Sequence, residues 1–336
     1  MSRVSLGAPT SRVSAVGTRR GGAARTPGAS CVSVRAAAVG GDGEYVVTIV
    51  GGAGRVGSAF AAVALDSDAS VRVVRRGDDD DDAFGEHTRG PIFVATRVSD
   101  LDRVIKCVPA SRVCDLIFTQ GGLLRDKWLA ERGLENTTQA ALFLSAVFGG
   151  NMNESQSGNG DMHESQLVDG GGMTVAIGRR AKDVVDLLRD ANVRAKSVDA
   201  ETFKKAALVK LIWTSAFWLL CDVYGKELGG VGSVTVGDLV DEHDGKMHAR
   251  TEALCGELFD VAIESDEFGF LCDRKDAIVS DVLRYSRHIP TAVPSREMAI
   301  SEMGFRNHWF LRENASRKKY SSSLHRALLR EAGVET

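Results

Sequence analysis

From Tyr45 to Val198 the apolar positions alternate between short continuous runs and stretches of helical spacing. Tyr45-Val46-Val47-Thr48-Ile49-Val50 is a β-branched run of buried-strand type. Further strands are predicted over 69–74, 91–96, 115–119, 140–148, 173–177 and 193–198. Helical spacing or helix-forming composition lies between them, over 57–65, 101–107, 126–132 and 181–189. Such alternation predicts a mostly parallel sheet with crossover helices. Residues 149–172 interrupt it, rich in Gly, Asn, Ser, Gln and acidic side chains with almost nothing to bury, and read as a disordered surface insertion. His163 within that stretch has no second ligand-type cluster beside it. From Glu201 the character changes. Residues 201–224 predict one long helix, strongly apolar over 208–220, followed by helices over 247–264, 274–287 and 318–331. The expected organisation is a mixed α/β domain over 44–200 and an all-α domain over 201–336, with an active site in the cleft between them.

The turn after the first strand carries the first chemistry. Gly52, Gly54 and Gly57 stand in the spacing G-x-G-x-x-G between a strand and a helix. Gly52 is expected to permit the sharp turn, Gly54 the approach of a pyrophosphate, and Gly57 close packing of helix on strand. The helix N-terminus at Arg55, Val56 and Gly57 offers free N–H groups and the positive end of a dipole. The fold class read from this context is α/β: a Rossmann-type dinucleotide-binding domain followed by an all-α C-terminal domain. The second strand ends at Arg75 and Arg76, where an NAD site usually carries an acidic residue for the ribose 2′-hydroxyl. Guanidinium suits a 2′-phosphate, so NADP(H) is the expected cofactor. The alternative is that both arginines only neutralise the Asp78 to Asp82 run beside them.

Composition adds bounds. The 336 residues are 43% hydrophobic and 26% charged, ordinary for a globular chain with ample core. A net charge of −3, with no basic cluster beyond the N-terminus, argues against a nucleic-acid partner. No uninterrupted apolar run reaches membrane-spanning length, so no membrane helix is expected. Cys31, Cys107, Cys114, Cys221, Cys255 and Cys272 are scattered, which gives no metal signal and fits reduced thiols inside a cell. Residues 1–41 lack Asp and Glu and carry six arginines among many hydroxylated and small residues. That is the composition of an organelle transit peptide, taken to occupy 1–43, with a chloroplast favoured and a mitochondrion as the alternative.

Lys210 is the leading catalytic candidate, a lone charge in Ala207-Leu208-Val209-Lys210-Leu211-Ile212-Trp213. A lysine held away from water must be paired or must lose its proton more easily, and either state suits a proton donor to a carbonyl oxygen. The competing reading is a lysine whose stem covers apolar surface while its head reaches water.

The order of these features resembles the ketopantoate reductase family over residues 45–315: the glycine turn, arginine after the second strand, Gln120-Gly121-Gly122 at the end of a later strand, and Lys210 on the helix opening an α-helical domain. The resemblance implies NADPH-dependent reduction of the keto group of a small 2-oxo acid, with Lys210 as general acid. It places Gly121, Thr214, Ser295 and Asn307 on the side of the carbonyl substrate; Gln120, in a turn at the carboxyl end of a strand where a ligand is expected to sit, is assigned to the cofactor. Three positions depart from the family pattern: Gly121 and Thr214 stand where it carries asparagine, and Asn307 where it carries glutamate. A homodimer stays open. So do two other readings, a non-catalytic NADP(H)-binding sensor or interaction protein, and a hydroxy-acid dehydrogenase of 6-phosphogluconate or 3-hydroxyisobutyrate type.

Overall fold

The structure, a computed structural model, describes residues 44–67, 69–75, 84–85, 88–148, 165–230, 232–243, 245–314 and 323–334. The arginine-rich leader, Arg76, the aspartate run after it and residues 149–164 lie outside the described residues. The first half forms β1 (Val47–Val50), α1 (Arg55–Asp66), β2 (Val71–Val74), β3 (Ile92–Val94), α2 (Leu101–Cys107), β4 (Leu116–Phe118), α3 (Asp126–Ala130) and β5 (Thr138–Ala141). It continues through β6 (Leu144–Phe148), β7 (Ser165–Asp169), β8 (Thr174–Ile177), α4 (Ala181–Asp190) and β9 (Ala195–Ser197). Seven strands form one sheet in the order β2-β1-β3-β4-β5-β8-β9, parallel throughout except where β5 meets β8.

The sheet is covered on both faces, which is why its strands read as continuous apolar runs rather than alternating ones. Ile49, Phe93, Ile117 and Ala140 face α1 and α4, where Phe60, Ala64, Val184 and Leu188 close the layer. Val50, Val94, Phe118 and Ala141 point the other way, into the core that α2 and the C-terminal helices share.

Two expectations need correcting. The run 140–148 is not one strand. Its residues from Ala140 to Leu144 are apolar without a break, so periodicity cannot reveal that the chain leaves the main sheet after Ala141 and starts β6 at Leu144. Residues 149–172 are not wholly without structure either. Ser165–Asp169 forms β7, antiparallel to β6, with Leu144 opposite Asp169 and Val147 opposite Gln166. Leu144 and Leu167 anchor this ribbon in the α1 core layer, a long-range contact that a polar sequence window does not announce.

The second half is helical: α5 (Ala200–Leu228), α6 (Val236–Val240), α7 (Gly245–Ala262), α8 (Lys275–His288), α9 (Arg296–Ser301), α10 (Asn307–Asn314) and α11 (Leu324–Glu331). Asp199 caps α5 by accepting from the Thr202 N–H, and Gly229 ends it with φ of 125°. By length and composition α5 could cross a membrane, contrary to the expectation from uninterrupted runs, but most of its apolar window is buried in this fold. It packs against α7 and α8 and also against β5 and β8, so sheet and helical array meet along one shared helix. The helix predicted over 318–331 is described from Leu324, with Ser323 as its cap.

Candidate active site

The strand order reverses between β1 and β3, and open α/β sheets hold ligands outside the carboxyl ends of strands at such a point. A groove of about 370 Å³ lies there. Val50, Gly51, Ala53 and Gly54 line it from the first turn, Val74 and Arg75 from the end of β2, and Ala95, Thr96 and Arg97 from the end of β3. Asp100, Arg103 and Cys107 complete the α2 side.

The glycine roles are redistributed within the turn. The left-handed residue is Gly51, with φ of 85° and no room for a Cβ, which would lie 2.8 Å from the Ala95 carbonyl oxygen. Gly52, expected to make the sharp bend, instead lets β2 approach: a Cβ there would lie 2.3 Å from Val73 Cγ1. Gly57 has its expected place, since a Cβ would lie 2.4 Å from the Gly51 oxygen. Gly54 opens α1 as its N-cap, is exposed, and would bring a Cβ no nearer than 3.3 Å to Gly51 O. No side chain caps α1 and its first turn holds no acid, so the N–H groups of Arg55, Val56 and Gly57 face a site suited to an anion. Arg75 lies on the wall of this groove, and Arg97 and Arg103, which sequence reasoning missed, add positive charge to it. Their signal was position: both follow the end of β3, at the switch point.

Gln120 is buried after β4. Its Nε2 donates to the Val94 oxygen at 3.0 Å and the Thr96 oxygen at 2.7 Å, fastening the end of β3, while Oε1 is buried with no protein partner among the described residues. The next two residues reach the helical half. Gly121 donates its N–H to the Ala140 oxygen at 3.0 Å, and a Cβ would fall 2.2 Å from that oxygen. Gly122, with φ of 96°, lies against Ala207 and the Lys210 stem, where a Cβ would be 2.9 Å from Lys210 Cβ. The turn after β4 therefore packs directly on the lysine of α5.

Lys210 is half-buried. Its Nζ donates to Tyr285 Oη at 3.2 Å and lies 4.6 Å from the Tyr285 ring centroid, 4.9 Å from Trp213 and 5.3 Å from Phe143. It makes no ion pair among the described residues. Burial, with a smaller contribution from the Arg306 charge, lowers its ammonium from 10.5 to about 7. That is the range in which a side chain both holds and releases a proton near neutral pH. Lys204 and Lys205 on the same helix are instead paired with Asp126 and Asp281.

The substrate-side residues do not all converge. Thr214, one turn beyond Lys210, is buried and donates its hydroxyl back to the carbonyls of Lys210 and Leu211. Ser295 is exposed and caps α9, accepting from the Met298 N–H at 3.2 Å. Asn307 must be withdrawn from the binding set. It has no exposed surface, and its amide is held by Ser215 O, Trp218 Nε1 and His325 Nε2 at 2.9–3.0 Å. Burial lowers His325 to about 3, so the ring is neutral and accepts from the asparagine. The neighbouring Arg306, which the sequence reading passed over, donates to Thr214 O at 3.0 Å and pairs with buried Glu302. Glu302 also accepts from the Val98 N–H at 3.3 Å, tying the segment after β3 to the lysine helix.

Neither a known protein-family model nor a curated protein sequence matches the chain. Solved structures do. The PanE/ApbA family ketopantoate reductase from Ralstonia eutropha superposes with a TM-score of 0.56 at 13% identity, over 86% of this chain and 98% of that one. A dimeric ketopantoate reductase from Staphylococcus aureus gives 0.54 at 14% identity, over 86% and 99%. This chain has the ketopantoate reductase fold. The resemblance read from residue order thus extends to nearly the whole length of both solved chains, and the Rossmann-type sheet with a helical C-terminal half is the architecture they share.

Proposed function

We propose that this protein is an NADPH-dependent reductase of the keto group of a small 2-oxo acid. The observation that carries the reading is the placement of Lys210. It stands over the turn after β4, on the same row of strand ends as the anion-suited groove at β1 and β3, with its ammonium lowered to about 7. Neighbouring strands lie about 4.8 Å apart, so an extended dinucleotide anchored at β1 spans the distance to β4. The uncapped α1 N-terminus and the arginine-lined wall fit its phosphates. When bound, a reduced nicotinamide supplies a hydride to a carbonyl carbon. Lys210 supplies the proton to the carbonyl oxygen, and the apolar rings around it exclude water from that transfer.

Oxidation of NADPH against a panel of 2-oxo acids, ketopantoate included, tests the reading. Lys210→Ala should lower kcat by about 10² to 10⁴-fold while leaving coenzyme affinity nearly unchanged. NADPH should bind at least about tenfold tighter than NADH, and Arg75→Ser with Arg76→Ser should remove most of that difference. Full turnover in Lys210→Ala, or equal affinity for the two coenzymes, would contradict it. A non-catalytic NADP(H) sensor is the second reading. It is favoured by the inward-turned Thr214 hydroxyl, the buried Asn307 and the lack of room for a side chain at Gly121. Tight NADPH binding without turnover on any panel member would select it. The Staphylococcus aureus protein is described as dimeric, and a homodimer is the assembly we propose here. A single monomeric species in sedimentation equilibrium would remove that part.

A further inference from the structure

We infer that Tyr285 is a positioning residue for the proton-donating nitrogen of Lys210, and that the β6–β7 ribbon holds the tyrosine in place for that role. The inference rests on the reductase reading of Lys210.

The hydrogen-bond order is fixed by chemistry. Tyr285 donates its hydroxyl proton to the Leu144 carbonyl at 3.2 Å, and a carbonyl can only accept. The lone pairs of Oη are left to accept from Lys210 Nζ, also at 3.2 Å. The phenol therefore offers the lysine an acceptor, which favours an ammonium with one N–H held toward α8. The ring itself has little freedom. It is 1% exposed, perpendicular to Phe143 at 5.0 Å between centroids, and edge-on to Trp213 at 5.1 Å. Trp213 is in turn held by donating its indole N–H to Ser286 Oγ at 3.0 Å.

Both strands of the ribbon reach the same ring at its base, where Leu144 lies opposite Asp169. The entering strand supplies the Phe143 ring and the Leu144 carbonyl. The departing end supplies Gly170, whose N–H donates to Phe143 O at 3.0 Å. A Cβ at Gly170 would lie 2.4 Å from that oxygen and 2.5 Å from Tyr285 Cε2, so the backbone passes directly across the tyrosine edge. Thr174 Oγ1 closes the arrangement by accepting from the Phe143 N–H at 2.9 Å. The charged group acting on Lys210 is Arg306, from the segment before α10, already paired with Glu302. From α8 the facing titratable group is Tyr285 itself, whose phenol is raised by burial and stays neutral. The turn after β4 presents the glycine backbone of Gly122. None of these residues lines the dinucleotide groove.

Tyr285→Phe keeps the ring and deletes only the hydroxyl, and the 13Cε resonance of Lys210 in lysine-labelled full-length protein reads its titration without any substrate. Assignment comes from the signal lost in Lys210→Met. In the unmodified protein the inflection is expected near 7. In Tyr285→Phe it should fall by about one unit, because the ammonium loses its acceptor. The kcat for reduction should fall about tenfold in step, with NADPH affinity unchanged. Tyr224→Phe, which removes a buried hydroxyl at the far end of α5, should alter neither inflection nor rate. Should Tyr285→Phe melt early, Gly170→Ala gives a second route, displacing the ring from the ribbon side with the same direction of shift. An unmoved inflection in Tyr285→Phe, or a moved one with full turnover, overturns the positioning role. A moved inflection in a protein that reduces no 2-oxo acid overturns the reductase reading instead.

Discussion

At the scale of single residues, the proton-donor role proposed for Lys210 fixes the pH behaviour to expect. Its ammonium is lowered to about 7 by burial first and by the Arg306 charge second. Below that pH the side chain carries the proton a carbonyl oxygen needs; above it the proton is absent. The kcat/KM for reduction should therefore decline as pH rises through about 7, and Lys210→Arg should abolish that inflection, since guanidinium does not titrate there. A profile in which Lys210→Arg keeps the same inflection would assign it to another group. The linkage to stability has a definite sign. The folded value lies below the unfolded 10.5, so burial of this lysine destabilises the fold in full below about 7, and the effect fades as pH rises toward 10.5.

The strand-turn-helix element separates binding from folding. Gly54 and Gly57 belong to one motif but meet different surroundings. At Gly57 a Cβ would lie 2.4 Å from Gly51 O and 2.9 Å from Gly52 Cα, both backbone atoms that cannot swing away. Gly57→Val should therefore cost about 1–3 kcal/mol of stability and lower the melting temperature. At Gly54 the nearest atom to a Cβ is 3.3 Å away and the residue is exposed. Gly54→Val should fold with a nearly unchanged melting temperature yet lose NADPH binding, because its side chain stands before the N–H groups of the α1 first turn. Titration of NADPH fluorescence beside thermal melts distinguishes the two, and equal melting shifts would show that the turn lacks this division.

For the whole molecule, the decisive connection is the buried Glu302–Arg306 pair. It joins the Val98 N–H after β3 to the Thr214 carbonyl on α5, and so sets the lysine helix against the segment beside the groove at the ends of β1 and β3. Glu302→Gln leaves the Arg306 guanidinium buried without its counter-charge. Removing one member of such a pair typically costs about 3–5 kcal/mol, whereas an apolar replacement of both can be nearly neutral. Urea denaturation should show that loss for Glu302→Gln and partial recovery for Glu302→Leu with Arg306→Met. A loss below about 1 kcal/mol would place the pair among the weak surface bridges instead. The exposed Arg97–Glu297 contact at 3.4 Å runs between the same parts and should contribute little.

The sequence by itself determined the strand-helix alternation, the glycine turn with its uncapped helix, the helical second half and the isolation of Lys210 among apolar neighbours. These are local properties: periodicity, turn chemistry and the burial a long apolar helix demands are written within a few residues of one another. Tertiary structure alone decided what each polar group does. Asn307 and Thr214 look like binding residues by position, but packing turns the first onto His325 and Trp218 and the second onto its own helix. Gly51 takes the left-handed bend, while Gly52 is needed because Val73 of β2 presses on it, a contact made across about 20 residues of chain. The aromatic setting of Lys210 comes from Phe143, Trp213 and Tyr285, separated by 70 and 72 positions in sequence, and the ribbon that completes it lies partly in a stretch too polar to suggest structure. Long-range contact of this kind leaves no local signature, because the energy of bringing such groups together belongs to the whole core and not to any segment of it.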